Sequence, residues 1–160
     1  MVRRVAIVLG VALTVVLAAL SIVVIGIRTK YPPVLNRVRR YARDVGNPRQ
    51  LRSAGTPGAH ASVLRHTGRK SGKQYQTPVT ARWTADGFVI GLPYGPNTDW
   101  LKNVLSAGRA TIRFGGASHD VDHPELVGIH QVDEYFAPKE QRAHERFQVH
   151  DALMVRTVGT

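Results

Sequence analysis

No cysteine occurs in the sequence. That excludes a disulfide scaffold, a Cys-based zinc site and a thiol nucleophile. Aromatic residues make up only 7% of the chain, too few for extended base-stacking surfaces, and no nucleic-acid fold motif occurs. Both facts argue against a nucleic-acid partner. There is no GxSxG nucleophile elbow, no HExxH and no recognisable carboxylate pair. Seven histidines are present, and His119 and His123 fall on one predicted strand face, but no third ligand has a metal-site spacing, so no metal is assigned. Acids are scarce: 11 Asp+Glu stand against 22 Lys+Arg, a net charge of +11. That excess suits a polyanionic partner. With 160 residues, the chain has room for one domain of ordinary size.

What is abundant is aliphatic sequence at the start. Residues 5–27 carry no charge, and only Thr14 and Ser21 have polar side chains. As a helix this run spans roughly 34 Å at about 1.5 Å per residue, enough to cross a bilayer core of about 30 Å. A cleaved signal peptide is the rival reading, but its apolar region is shorter, about 7–15 residues. A retained anchor over residues 1–30 is expected. Arg3 and Arg4 precede the run; Arg28, Lys30, Arg37, Arg39, Arg40 and Arg43 follow it. The heavier basic flank belongs in the cytoplasm. The expectation is a single-pass protein of the inner (cytoplasmic) membrane with a cytoplasmic globular part. Its basic collar, within residues 31–61, faces anionic lipid headgroups.

Charge is unevenly spread beyond the anchor. From Arg28 to Arg82 there are 13 basic residues and one acid, Asp44; from Trp83 onward there are 7 basic residues and 10 acids. Val34–Val45 reads as a short basic helix stopped by Gly46-Asn47-Pro48, and Gln50–Ala61 as a loop. Strands are predicted at Ser62–Thr67, Gln74–Thr84, Phe88–Leu92, Ala110–Phe114, Ala117–Val121, Glu125–Gln131 and Ala152–Val158. Asp86-Gly87 signals a hairpin, and Asn97-Thr98-Asp99 caps a helix carrying Trp100. Asp133–Phe147 reads as helical with a break near Pro138. Six or seven short strands with two short helices imply an α+β fold, a small and mostly antiparallel barrel over residues 62–160.

Two segments carry chemistry. Gly68-Arg69-Lys70-Ser71-Gly72-Lys73 combines two glycines, three cations and a hydroxyl, a suitable kit for phosphate. A solvated basic hairpin has the same composition. It is not a P-loop, because Gln74 stands where a hydroxyl would hold magnesium. Pro93-Tyr94-Gly95 then leads from a strand end to a capped helix, a place that attracts anions and polar rings. Trp100 there suits a flat ligand or the core.

These segments together, from His66 to Lys73, then Thr77-Pro78-Val79, Gly87–Leu92 and Asn97–Asn103, resemble the deazaflavin-dependent nitroreductase family. These bacterial oxidoreductases are also called F420-dependent quinone reductases. The resemblance spans His60 to Phe114 and implies a split β-barrel. It also implies a polyanionic cofactor, the 8-hydroxy-5-deazaflavin coenzyme F-420, with FMN as the alternative and heme a more distant one. It assigns the phosphate to Arg69, Lys70, Ser71 and Gly72, with Lys73, Tyr75 and Pro78 beside them. Pro93, Tyr94 and Gly95 would lie by the ring, and Trp100 would shape the pocket. Tyr94 replaces a lysine of some members. Catalysis would be mostly positional, with Tyr94 and Tyr135 as candidates to steady charge on the acceptor oxygen. A lipophilic acceptor, a quinone or a nitro compound, suits a membrane-held enzyme. The alternative is a non-catalytic coenzyme- or lipid-binding barrel. The resemblance also implies a possible homodimer.

Overall fold

The computed structural model describes residues 2–159. Helix α1, Val2–Arg28, meets the rest of the chain only near its C-terminal end, at Gly26 and Arg28. Its side chains are exposed from Val5 to Val23, and it is long and apolar enough to cross a membrane. Thr14 and Ser21 donate their hydroxyls to the carbonyls of Gly10 and Leu17, both at 2.9 Å, so neither polar group is left unpaired on the apolar surface.

Tyr31 is extended, and Pro32 opens α2, Pro32–Tyr41, at a position where a missing N–H costs nothing. Gly26 lets α2 approach α1: a Cβ there would lie 2.4 Å from the Val34 side chain. The predicted stop at Gly46-Asn47-Pro48 does not occur. The chain runs on through a π-helical turn, Ala42–Gly46, into α3, Asn47–Gln50. The extra residue of the π turn absorbs the ring that proline would otherwise drive into the preceding turn, and Asn47 bonds back to Ala42 instead.

Seven strands follow: β1 Ser62–Thr67, β2 Gln74–Val79, β3 Ala81–Trp83, β4 Gly87–Gly91, β5 Arg109–Phe114, β6 Ala117–Gly128 and β7 Asp151–Thr157. They form one antiparallel sheet in the order β2-β1-β5-β6-β7-β4-β3. The predicted strand Gln74–Thr84 is therefore two strands at opposite edges, joined through Thr80 alone. One bent segment holds both edges, which forces the sheet to curl into a half-barrel. Conversely, the two strands expected over Ala117–Gln131 are one long strand. It has a register break between Asp122 and Glu125, where His123 takes φ 49°. That break separates the two histidines: His119 packs edge-on against Trp83 at 5.0 Å, while His123 bonds Asp122 at 2.8 Å.

Inside the curl, Leu64, Phe88, Ile90, Ile112, Val121 and Leu153 pack with Leu101 and Val104 of helix α4, Asp99–Ala107. The other face of β4 and β7 is also covered. Val89 and Ala152 meet Ile129, Val132, Phe136 and Val149 from the turns before and after α5, Pro138–Arg146. This second layer is why β4 is apolar on both faces.

Candidate functional site

The loop after β1 is held by its own backbone. Gly68 N–H donates to Lys73 C=O, Ser71 and Gly72 N–H both donate to Gly68 C=O, and Lys73 N–H donates to Ser71 Oγ. These donors are spent on the turn.

Arg69 is also largely committed. Its Nη1 donates to Asn103 Oδ1 at 2.8 Å and to Asp99 C=O, its Nη2 donates to Asp99 Oδ1 at 3.1 Å, and its backbone N–H donates to Asn103 Oδ1. Asn103 is buried and turns its Nδ2 to His66 Nδ1 at 3.1 Å. An amide nitrogen can only donate, so His66 Nδ1 accepts and its proton sits on Nε2, which meets Thr77 Oγ1 at 3.1 Å. Burial lowers the His66 pKa to about 4, keeping the ring neutral. The basic loop is thus locked to the first turns of α4 through one continuous polar chain.

Above this chain lies a cavity of about 1110 Å³. Lys70, Ser71, Tyr75 and Pro78 line it from the loop and β2. Ser71 Oγ and Tyr75 Oη are 3.2 Å apart, and Tyr75 stacks on His66 with ring centroids 5.8 Å apart. Pro93, Tyr94 and Trp100 line it from the β4–α4 connection. Arg69 also reaches the wall. Gly72, Lys73 and Gly95 do not line it; the two glycines take positive φ, 66° and 72°, and shape the turns that present their neighbours. Tyr135 lies elsewhere, packed against the outer apolar layer with Val89 and Phe136, so it does not face a ligand in this cavity. Thr98 stands at the N-cap of α4 but does not use its hydroxyl as a cap; Oγ1 is buried, unpaired and on the cavity wall.

A further part of the wall was not expected. Asn36, Arg39, Arg40 and Arg43 line the cavity from α2 and the π turn. Their spacing of three and four is a polar stripe on one helix face, visible in the sequence but read there as facing lipid headgroups. Arg39 Nη2 donates to Tyr94 C=O at 2.5 Å, while its Nε is buried without a partner. Lys30 Nζ donates to Pro93 C=O at 3.1 Å and Phe147 C=O at 3.3 Å, and Arg28 donates to Arg146 C=O at 3.0 Å. Three cations of the collar therefore dock the helical segment onto the barrel. Burial lowers the Lys30 pKa, opposed by Asp151.

The remaining wall comes from α5 and its flanks: Phe136, Glu140, His144, Phe147 and Val149. Glu140 is clamped by the Arg82 fork, with Arg82 Nε 3.0 Å from Oε2 and Nη2 on Oε1. Burial raises the Glu140 pKa, but the Arg82 and Ala137 hydrogen bonds outweigh it and the net direction is down. Among the described residues, no group of three or more His, Cys, Asp or Glu is placed to hold a metal ion.

The sequence profile of the F420H(2)-dependent quinone reductases matches residues 36–159. The chain belongs to that family. The match takes in both cationic walls of the cavity as well as α5. Membership of the F420H(2)-dependent quinone reductases makes the chain a member of a family of coenzyme F-420-dependent oxidoreductases. Among solved structures, an F420-H2-dependent reductase (FDR-A) aligns at 15% identity over 61% of this chain and 94% of its own, with a TM-score of 0.45. The heme storage protein HutZ from Vibrio cholerae aligns at 10% identity over 63% and 83%, TM-score 0.46. A domain-swapped dimer aligns at 13% identity over 76% and 98%, TM-score 0.47. No curated protein sequence matches the chain.

The cavity fits the coenzyme the family name implies. Cations line it from both the β1–β2 loop and α2, with a buried, unpaired Arg39 Nε among them, as a phosphate and a carboxylate tail require. Apolar and aromatic groups, Ile90, Pro93, Trp100, Phe136 and Phe147, also line it, as a flat ring requires.

Proposed function

We propose that the chain is a membrane-held oxidoreductase that binds reduced coenzyme F-420 in this cavity and passes hydride to a lipophilic acceptor, a quinone or a nitro compound. The observation that carries it is one cavity lined by cations of the β1–β2 loop and of α2 together with apolar and aromatic side chains, tied by Lys30 to the foot of the apolar helix α1. Lys70, Ser71 and Arg40 hold the anionic part, and Tyr75 Oη and Arg39 Nε add donors; Arg43, also on the wall, is paired with Asp44. Trp100, Pro93 and Tyr94 fix the ring plane. The coenzyme supplies the hydride; the chain binds, orients and excludes water, and Tyr94 donates a hydrogen bond to the acceptor. Arg69 acts behind them, keeping the loop against α4. Helix α1 crosses the cytoplasmic membrane with the barrel on the cytoplasmic side, so acceptor diffuses in from the lipid.

The full chain in detergent micelles tests this. Oxidised coenzyme F-420 should quench tryptophan fluorescence, because Trp100 lines the cavity. FMN and heme should quench far less. An Arg40→Ala/Lys70→Ala double variant should weaken binding at least tenfold. The reduced coenzyme should then turn over menadione. No quenching by the deazaflavin at tens of micromolar overturns the reading.

A further inference from the structure

Behind the cavity wall three titratable groups stand in line. His130 is on the surface, its side chain 82% exposed, with Nδ1 3.4 Å from Asp133 Oδ2. The other carboxylate oxygen, Oδ1, is buried without a hydrogen bond and lies 4.0 Å from His144 Nδ1, which is also buried and unpaired. His144 itself lines the cavity. We infer that His130, Asp133 and His144 form a relay that carries a proton from solvent to the acceptor bound in the cavity.

Two unpaired buried polar atoms facing one another are costly in a structure with no use for them. A proton, or a small closing of the gap, satisfies both. The ring is also held where a donor is needed. Phe136 packs edge-on against it at 4.6 Å, and the turn carrying Asp133 is tied to α5 by Gln141, which donates to Asp133 C=O and Phe136 C=O. On its other side His144 Nε2 abuts Gly91, at the strand end two residues before Pro93. A Cβ on Gly91 would sit 3.0 Å from that nitrogen. The absence of a side chain at position 91 thus leaves Nε2 against the ring-side wall.

The inference rests on the proposed oxidoreductase activity. Reducing a quinone to a hydroquinone takes a hydride and a proton. The hydride and its electron pair come from the reduced deazaflavin, which is oxidised. The proton leaves His144 Nε2 for the quinone oxygen, another enters at Nδ1 by way of Asp133 and His130, and tautomer exchange resets the ring. Burial lowers the His144 pKa, and Asp133 and Glu140 oppose this. Of the two carboxylates Asp133 acts more strongly, and it is the one 4.0 Å from the ring nitrogen, while Glu140 is held by Arg82. Lys30 donates to the carbonyl of Phe147, three residues on from His144 at the C-terminal end of α5.

His144 is the catalytic residue of this relay and Asp133 a positioning residue, so they need different readouts. In the full chain without coenzyme, imidazole nuclear magnetic resonance should show His144 titrating at lower pH in Asp133→Asn than in wild type. At saturating coenzyme, His144→Gln should reduce menadione about 10²-fold more slowly than wild type. The fall in kcat as pH rises through the His144 pKa should vanish in His144→Gln and move to lower pH in Asp133→Asn. Unchanged turnover and pH profile in His144→Gln, or a His144 titration that Asp133→Asn does not move, overturns the relay alone. A wild-type chain that binds no deazaflavin overturns the oxidoreductase reading and the relay with it.

Discussion

Asn103 is the residue on which most of the site's order converges. It accepts twice from Arg69 and donates to a neutral His66, all from one buried amide. Truncating it leaves the Arg69 backbone N–H and an imidazole nitrogen without partners and leaves the guanidinium with Asp99 alone. Asn103→Ala should destabilise the fold by about 2–3 kcal/mol and lower the thermal midpoint, with coenzyme binding weakened in proportion to the loosened loop. Nothing near Asn103 in the sequence announces this, because its partners lie 34 and 37 residues away. The sequence shows the basic loop and the tryptophan helix as separate signals; only the fold shows that the most suggestive cation, Arg69, is spent on joining them.

His66 gives a second residue-scale expectation. Its folded pKa of about 4 lies below the ordinary 6.5. The unfolded chain therefore binds a proton first as pH falls. Stability is full above about pH 6.5 and declines between there and about pH 4, by up to roughly 3 kcal/mol for one such ring. Melting temperature against pH should show this decline, and His66→Gln should flatten it. An equally steep acid decline in the variant would remove His66 as its cause.

Between elements, the Arg82–Glu140 pair joins β3 to α5. The Glu140 pKa is lowered on folding, so the pair's stabilisation is present above the usual carboxylate range and lost as pH falls through the folded value. Glu140→Ala should cost about 2 kcal/mol and expose the α5 backbone to faster hydrogen exchange than β4 or β7. Local sequence rules worked where one element decides. The loop at Gly68–Lys73 and the hairpin at Asp86-Gly87 fall where turn chemistry puts them, and β1 has the predicted bounds. They failed where distant pairing decides. Gln74–Thr84 alternates without a break, yet the sheet needs its two halves on opposite edges. Pro48 looks like a terminator, yet a π turn carries the helix past it. The polar stripe of α2 was legible, but not the surface it faces.

Over the whole molecule, the charge imbalance has two destinations. Arg28, Lys30 and Arg39 bind the barrel's own carbonyls, while Arg40 and Arg43 face the cavity. Little of the collar is left purely for lipid. Membrane attachment should accordingly depend on α1 and not on surface charge. The full chain should stay in the membrane fraction after high-salt and carbonate washes, and residues 31–160 should leave it entirely. Release of the full chain by salt alone would contradict a spanning helix.

The docking of residues 28–30 onto Pro93, Arg146 and Phe147 leaves no slack between α1 and the barrel. On the membrane-held reading proposed above, the molecule then has a fixed bearing. Each residue added near the end of α1 would swing the cavity mouth by about 100° around the helix axis and lift it by about 1.5 Å. One insertion would aim the mouth sideways, and three or four would bring it nearly back to its heading. Activity toward an acceptor dissolved in lipid should follow that angular period, while activity toward a water-soluble acceptor should ignore it.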